Sequence, residues 1–585
     1  MKTRIFRSPD SNYYHDDISS SLEVYTSDYL RRLQGNGLNA IWLRAILRDI
    51  ASTAIFPEFG NASKSSQETL RTLIKRCAEF NIKVYLYFNE PLTFPVQDQF
   101  WENYPNLRGT HGSSPMDNWT NTWALCTSHQ TVLDFLYHGM NTLFTNCPCL
   151  GGVFLITRSE HHTHCYSHYD ETNCPLCNKR NLAEVISEII NTIASGIYAA
   201  SEIAEVIAWN WEWPAEMEAD IISRLDRRII LMGAFERGGY KVIAGKERLI
   251  NEYALSYVGP SKSFSTLYDE CNKRGMKVYA KLQIGATHEL ATVRNLPLIP
   301  NLLKKAQWLR NHKIQGALCC WNFGSLFSLN TFAFQKFLEY DLELVDDETI
   351  LSAVASDYFG NTVNPASILT AWKIFVEAFD HYPFCVSFLY KGPINYVLRY
   401  PFPHPEAKIV PMQRSWIPLK VMGTNLQEAV NLWRGEDMSC EVSEGQFDLK
   451  TMVDCLKKLS KTFDDGLKAY NLALSGNDGT NAVLELKNAK IISSILNSVY
   501  FTFAAYQLCH SEPFEFEQWL NFAYAECRNL QHTLPLLKDE KEIGFHSEAH
   551  DWFFTEKTVR EKLTELNKLM KYYKNKYSKR INSIN

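Results

Sequence analysis

Eight short apolar runs, separated by amphipathic stretches of helical period, occupy about the first 335 residues of this 585-residue chain. They are "TRIF" (3–6), "NAIWLR" (39–44), "KVYLYF" (83–88), "GGVFLIT" (151–157), "EVIAWNW" (205–211), "RIILMG" (228–233), "KVYAKLQ" (277–283) and "GALCCW" (316–321). Strands buried on both faces read as continuous apolar runs, and alternation of such strands with helices implies a parallel sheet. Eight repeats fit a (β/α)8 TIM barrel; a doubly wound open sheet is the rival. From about residue 340 the pattern becomes helical without clear strands. The expected class is therefore α/β, with a barrel over 1–340 and a mostly α-helical domain over 341–585. The segment 387–419, rich in Pro and aromatics, is expected to pack back on the barrel.

Charge and composition narrow the partners. A net charge of −5 gives no basic footprint, so no nucleic acid is expected. The N-terminus lacks the apolar core of a signal peptide. No stretch is expected to reach the roughly 18 to 20 apolar residues that a membrane-spanning helix needs, so no membrane partner is expected. The 15 cysteines are scattered and odd in number, which fits reduced thiols and a cytoplasmic location. Aromatics at 13%, with 14 Trp, suit the stacking of sugar rings, and a large core explains them almost as well.

In a barrel of this kind the chemistry lies past the C-terminal ends of the strands. The second run then offers Arg44, the third Asn89 and Glu90, the fourth Ser159, Glu160 and His161. The fifth offers Trp209, Asn210 and Trp211, the sixth Glu236, the seventh Gln283, the eighth Trp321 and Asn322. Carboxylates, amides and tryptophans at one mouth are what a glycosidase needs: an acid for the leaving oxygen, a second group at the anomeric carbon, and aromatic faces for the ring. Glu160 is the expected general acid, since it follows a fully apolar strand in mid-barrel. The seventh run ends in Gln283, where many retaining barrel glycosidases place a nucleophilic Glu. Without that nucleophile the substrate's own 2-acetamido oxygen can attack.

Several segments, "GLNAIWLRAILRDIASTAIFPEFG", "KVYLYFNEP", "FWENYPNLRG", "GGVFLITRSEHHTHCYSH", "CPLC", "VIAWNW" and "SFLYKGPINY", resemble bacterial proteins related to glycoside hydrolase family 20, over roughly residues 20 to 420. The resemblance implies a retaining exo-β-N-acetylhexosaminidase, with β-N-acetylgalactosaminides as the favoured substrate. It places the acid at Glu160. The neighbouring Asp that orients the acetamide in that family maps to Ser159, a departure that leaves its role to another carboxylate, Glu236 or Glu90 being nearest. The alternatives are another barrel glycosidase, inverting or acting on non-acetamido sugars, and a non-catalytic carbohydrate-binding relative.

Cys165, His168, Cys174 and Cys177 have the residue types of a closed zinc site. A loop of ordinary reduced thiols explains them as well. No cofactor is expected for catalysis; a structural zinc is the one metal the sequence suggests.

Overall fold

The computed structural model describes residues 1–13, 16–114, 117–340, 345–406 and 447–582. Its centre is a closed barrel of eight parallel strands: β1 (Thr3–Phe6), β2 (Ala40–Arg44), β3 (Lys83–Phe88), β4 (Gly152–Ile156), β5 (Glu205–Trp209), β6 (Ile230–Ala234), β7 (Val278–Lys281) and β8 (Gly316–Leu318). Each strand pairs with its neighbours in sequence, and β8 closes on β1 with Thr3 opposite Gly316. The eight apolar runs are these eight strands, and the open sheet is excluded.

Alternate residues of each strand point inward. The interior set includes Trp42, Tyr85, Tyr87, Phe154, Trp209 and Tyr279, all buried. Bulky rings fill the barrel where aliphatic layers are the common solution. The polar ends of two of them are satisfied low in the barrel: Tyr85 and Tyr279 donate to Oε2 of Glu205 at 2.6 and 2.9 Å. The outward set packs on the surrounding helices in one continuous core.

Two insertions rise from the barrel mouth, and the sequence pattern announces neither. Phe94–Pro95, Arg108–Ser114 and Trp119–Leu125 form a three-stranded antiparallel sheet after β3. Gly239–Ile243 and Lys246–Ile250 form a hairpin after β6.

The second half is helical, as expected, with long helices at Leu449–Ala473, Thr480–Cys509, Phe516–Leu537 and Glu556–Asn582. Contrary to the sequence reading, Thr480–Cys509 is long and apolar enough to cross a membrane by length and composition. In the fold, 67% of its most apolar window is buried inside the protein. It also carries polar anchors into the barrel: Glu485 accepts from the Leu329 N–H at 3.0 Å, and Asn488 donates to the Asn295 carbonyl at 2.9 Å. In the described part of segment 387–419, Asn395 accepts from the Ala291 N–H at 2.7 Å. Residues 407–419 lie outside the described residues. A small hairpin, Phe545–His546 with Asp551–Trp552, interrupts the helices and reaches the barrel mouth. There the Gly544 N–H donates to the Thr292 carbonyl at 2.8 Å and Ser547 Oγ to the Asn322 carbonyl at 2.6 Å.

Candidate active site

A pocket of about 620 Å³, its open mouth included, sits at the C-terminal end of the barrel strands. Trp209, Trp211, Trp321, Tyr13, Tyr87 and Tyr253 form most of its wall. The tryptophans brace one another: Trp321 stacks on Trp42 at 4.9 Å, and Trp209 meets Trp321 edge-on at 5.4 Å. Rigid edge-to-face packing of this kind presents flat apolar faces at little entropic cost.

Three carboxylates enter this pocket from three distant stretches: Glu160, Glu252 and Glu548. Glu160 follows β4, whose last residue Ile156 lies opposite Trp209 of β5. Its side chain is exposed to the pocket space. Enclosure nevertheless pushes its carboxyl above the ordinary range, with Glu212 adding to the shift and His161 and Arg237 opposing it. Glu252 follows the hairpin after β6. One oxygen accepts from the Tyr253 N–H at 2.9 Å and the other from the Tyr390 hydroxyl. Burial raises it too, against the fields of Arg237 and Lys281. Glu548 comes from the small hairpin of the helical half. Burial, then repulsion from Glu252 and Glu160, pushes it up to about 8, although the Trp321 and Asn322 side chains hydrogen-bond it. A carboxyl with that value holds its proton at neutral pH.

Arg237 joins the walls together. It pairs with Glu212 at 2.8 Å and lies over the Trp211 ring at 4.2 Å. Behind the pocket, Lys281 sits over the Tyr253 ring at 4.0 Å and donates to Gln283 at 2.9 Å. Burial brings its pKa down to about 8.

Three buried polar atoms around this pocket have no protein partner: Trp209 Nε1, Asn322 Oδ1 and Glu548 Oε2. Orphaned polar atoms are few in folded proteins and each needs an explanation. Here one donor, one acceptor and one protonated carboxyl line the same space, as a ligand bearing hydroxyl groups would require.

The residues expected from the sequence fall into three groups. Of those read from the strand ends, Glu160, Trp209, Trp211, Trp321 and Asn322 line the pocket. Others stand behind it as supports. Ser159 Oγ accepts from Asn89 at 3.3 Å and from the His161 N–H at 3.2 Å, which shapes the turn that presents Glu160. His161 is buried between Tyr13 Oη at 2.9 Å and Asp117 at 2.8 Å, and Asp117 in turn pairs with Arg44 at 3.0 Å. Burial alone would raise Asp117, but His161, Arg44 and Ser114 outweigh it and hold the carboxyl below the usual range. This chain fixes the Tyr13 hydroxyl at the pocket wall.

Glu236, Glu90, Asn210 and Gln283 do not reach the pocket. Glu236 is fully buried and paired with Lys305 at 2.5 Å on the outer side of the barrel. Glu90 accepts from the Leu47 and Leu92 N–H groups, at 2.6 and 2.9 Å, and staples two mouth loops. Asn210 donates to Glu218 at 2.9 Å. The Gln283 amide donates to two carbonyls, Ala286 and Phe323, at 2.9 and 3.1 Å. Neither Glu236 nor Glu90 therefore lines the pocket; Glu252 and Glu548 do.

The cysteine cluster also differs from its expected composition. Cys126, Cys165, Cys174 and Cys177 bring their sulfurs within 4.8 Å of one another, all buried. His168 is not among them; its ring stacks on His162 at 5.1 Å. No disulfide joins the described cysteines.

No family model and no curated protein matches the chain. Among solved structures it is similar to a GH138 glycoside hydrolase that targets pectin rhamnogalacturonan II, at 12% identity and a TM-score of 0.56, over 98% of this chain and 67% of that one. An exo-β-N-acetylglucosaminidase of family GH20 from Vibrio harveyi aligns at 9% identity and a TM-score of only 0.35, over 60% of this chain and 56% of that one. An O-GlcNAc hydrolase from Thermobaculum terrenum aligns at 10% and 0.38, over 97% and 94%. The likeness to the GH138 structure spans both halves, and it shows that the two chains share a barrel-and-helices fold.

Proposed function

We propose that this chain is an exo-acting glycoside hydrolase that releases a neutral sugar from a chain end. The observation that carries the reading is the convergence of Glu160, Glu252 and Glu548 on one aromatic-walled pocket with orphaned hydrogen-bonding atoms. A pocket, unlike an open groove, admits one terminal residue. Three carboxylates, and no Arg or Lys among the described lining residues, oppose an acidic sugar.

Glu160, unrestrained on the pocket side and raised by enclosure, is the general acid that protonates the leaving oxygen. Glu252, tied by two hydrogen bonds and set in the fields of Arg237 and Lys281, is the carboxylate that serves the anomeric centre. Glu548, protonated, donates to a sugar hydroxyl. Trp209, Trp211 and Trp321 hold the ring. On this reading Glu252, beyond the hairpin that follows β6, is the second carboxylate that Gln283 does not supply, and no acetamide nucleophile is needed.

One observation keeps a second reading. The aromatic wall gives an apolar seat for an acetamide methyl, and Glu252, held by Tyr253 and Tyr390, would polarise the acetamide in place of the Asp absent at position 159. On that reading the enzyme is the retaining β-N-acetylhexosaminidase that the family 20 resemblance implies, with β-N-acetylgalactosaminides favoured. A screen of aryl glycosides over purified protein separates the readings. Turnover confined to 2-acetamido sugars, with competitive inhibition by a thiazoline analogue, supports the second. Turnover of 2-hydroxy sugars supports the first. Binding without turnover of any glycoside refutes both.

A further inference from the structure

We propose that Cys126, Cys165, Cys174 and Cys177 hold one zinc ion in a closed, all-thiolate site that clamps the loop bearing Glu160. Such a site would be present whichever sugar the pocket takes. A tetrahedral site with Zn–S bonds of about 2.3 Å sets its sulfurs about 3.8 Å apart, by the geometry of the tetrahedron. Here Cys126 Sγ lies 3.5 Å from Cys174 Sγ and 3.6 Å from Cys177 Sγ, and all four ligand atoms fall within 4.8 Å. Those separations are far too long for disulfides, whose sulfurs stand about 2.0 Å apart. They are also an unusual way to bury four thiols unless something draws them to one centre.

The surroundings fit a metal. Cys174 and Cys177 form a knuckle, with the Asn178 N–H donating to the Cys174 carbonyl at 2.9 Å and the Arg180 N–H to the Cys177 carbonyl at 3.0 Å. Ser128 Oγ stands 3.2 Å from Cys177 Sγ, an outer donor for a thiolate. At Gly109 any side chain would collide with Cys165 Sγ, so the glycine leaves the sulfur its room. Four protein sulfurs leave no open coordination position, which makes the ion structural and not catalytic.

Its mechanical effect follows from where the ligands come from. Cys126 ends the antiparallel sheet inserted after β3, whereas Cys165, Cys174 and Cys177 lie in the long loop after β4. The ion joins that sheet to the β4 loop five residues beyond Glu160, where the loop has no regular structure of its own. Loss of the metal then frees the loop that carries the acid as well as lowering stability.

Metal analysis of the full chain, purified without added metal, tests the site. About one equivalent of zinc per chain is expected, released by a mercurial that blocks thiols. Cys126→Ser should bind less than about a fifth of that amount and melt lower, while His168→Ala keeps its zinc. Exchange with cobalt should give the intense thiolate-to-cobalt absorption of a tetrahedral sulfur site. If Cys126→Ser does not fold, the stoichiometry and cobalt spectrum of the unaltered protein decide. Native protein without metal, or with iron in place of zinc, overturns the proposal. So does loss of zinc from His168→Ala with retention by Cys126→Ser.

Discussion

Tyr390 donates its hydroxyl hydrogen to Oε2 of Glu252, so a residue of the helical half orients a carboxylate of the barrel mouth. Tyr390→Phe should therefore weaken catalysis without unfolding the chain. The lost hydrogen bond stabilises the ionised form of Glu252, so the acid limb of the kcat/KM profile should move to higher pH. An unmoved limb would detach Tyr390 from the chemistry.

Glu160→Gln should fold normally and lose about 10² to 10⁴ in rate on substrates with poor leaving groups, and less on activated aryl glycosides. Turnover of a natural disaccharide at the unaltered rate would remove Glu160 from the mechanism. Glu252→Gln should lose about as much with every leaving group, because it acts at the anomeric carbon, which all the substrates share, and not on the leaving oxygen. If Glu252 is the nucleophile, azide should restore part of the rate to a Glu252→Ala variant, with an azido sugar as product.

Glu548 carries a sign that can be checked. Its carboxyl is neutral below about 8. As pH rises through that value it becomes a third negative charge in the pocket and stops donating, so kcat/KM should fall. Glu548→Gln keeps a neutral donor at all pH values. It should retain most activity at neutral pH and lose the alkaline limb; an identical limb in the variant would assign it to another group. The same shift acts on folding. The folded chain keeps a proton on Glu548 that the unfolded chain releases near the ordinary glutamate range. Its contribution to stability therefore declines as pH rises from about 4.5 to about 8. The Gln variant should not show that part of the decline.

Glu236→Ala should behave differently from all of these. It strands Lys305 in the barrel's outer shell, where both members of the pair are fully buried. Loss of about 3 to 5 kcal/mol of stability is expected. The protein that remains folded should turn over at the normal rate. A fall in kcat beyond the folded fraction would return Glu236 to the site.

These residues show what a strand-end reading can and cannot find. The barrel was legible because doubly buried strands leave uninterrupted apolar runs, and Glu160, Trp209, Trp211, Trp321 and Asn322 were legible because they follow such runs directly. Glu252 escaped because a hairpin, Gly239–Ile250, stands between it and β6. Glu548 escaped because its hairpin is only two residues on each side within a stretch of helical period. Cys126 has no cysteine near it in sequence that would mark a half-site, and only the sheet inserted after β3 carries it to the others. Glu236 looked well placed because it lies two residues past β6, but its side chain faces the helices, a choice that spacing alone does not fix. Asp117 and Tyr13 gave no signal beyond their residue types.

The hairpin that carries Glu548 also sets an order in time. The ribosome finishes β8 at Leu318 and must then add most of the helical half before Glu548 emerges. A nascent barrel can close its ring of strands long before it owns Tyr390 and Glu548. Until then Glu160 stands at a mouth whose wall still lacks two of its lining residues, and the pocket is complete only once the hairpin bearing Glu548 has been added.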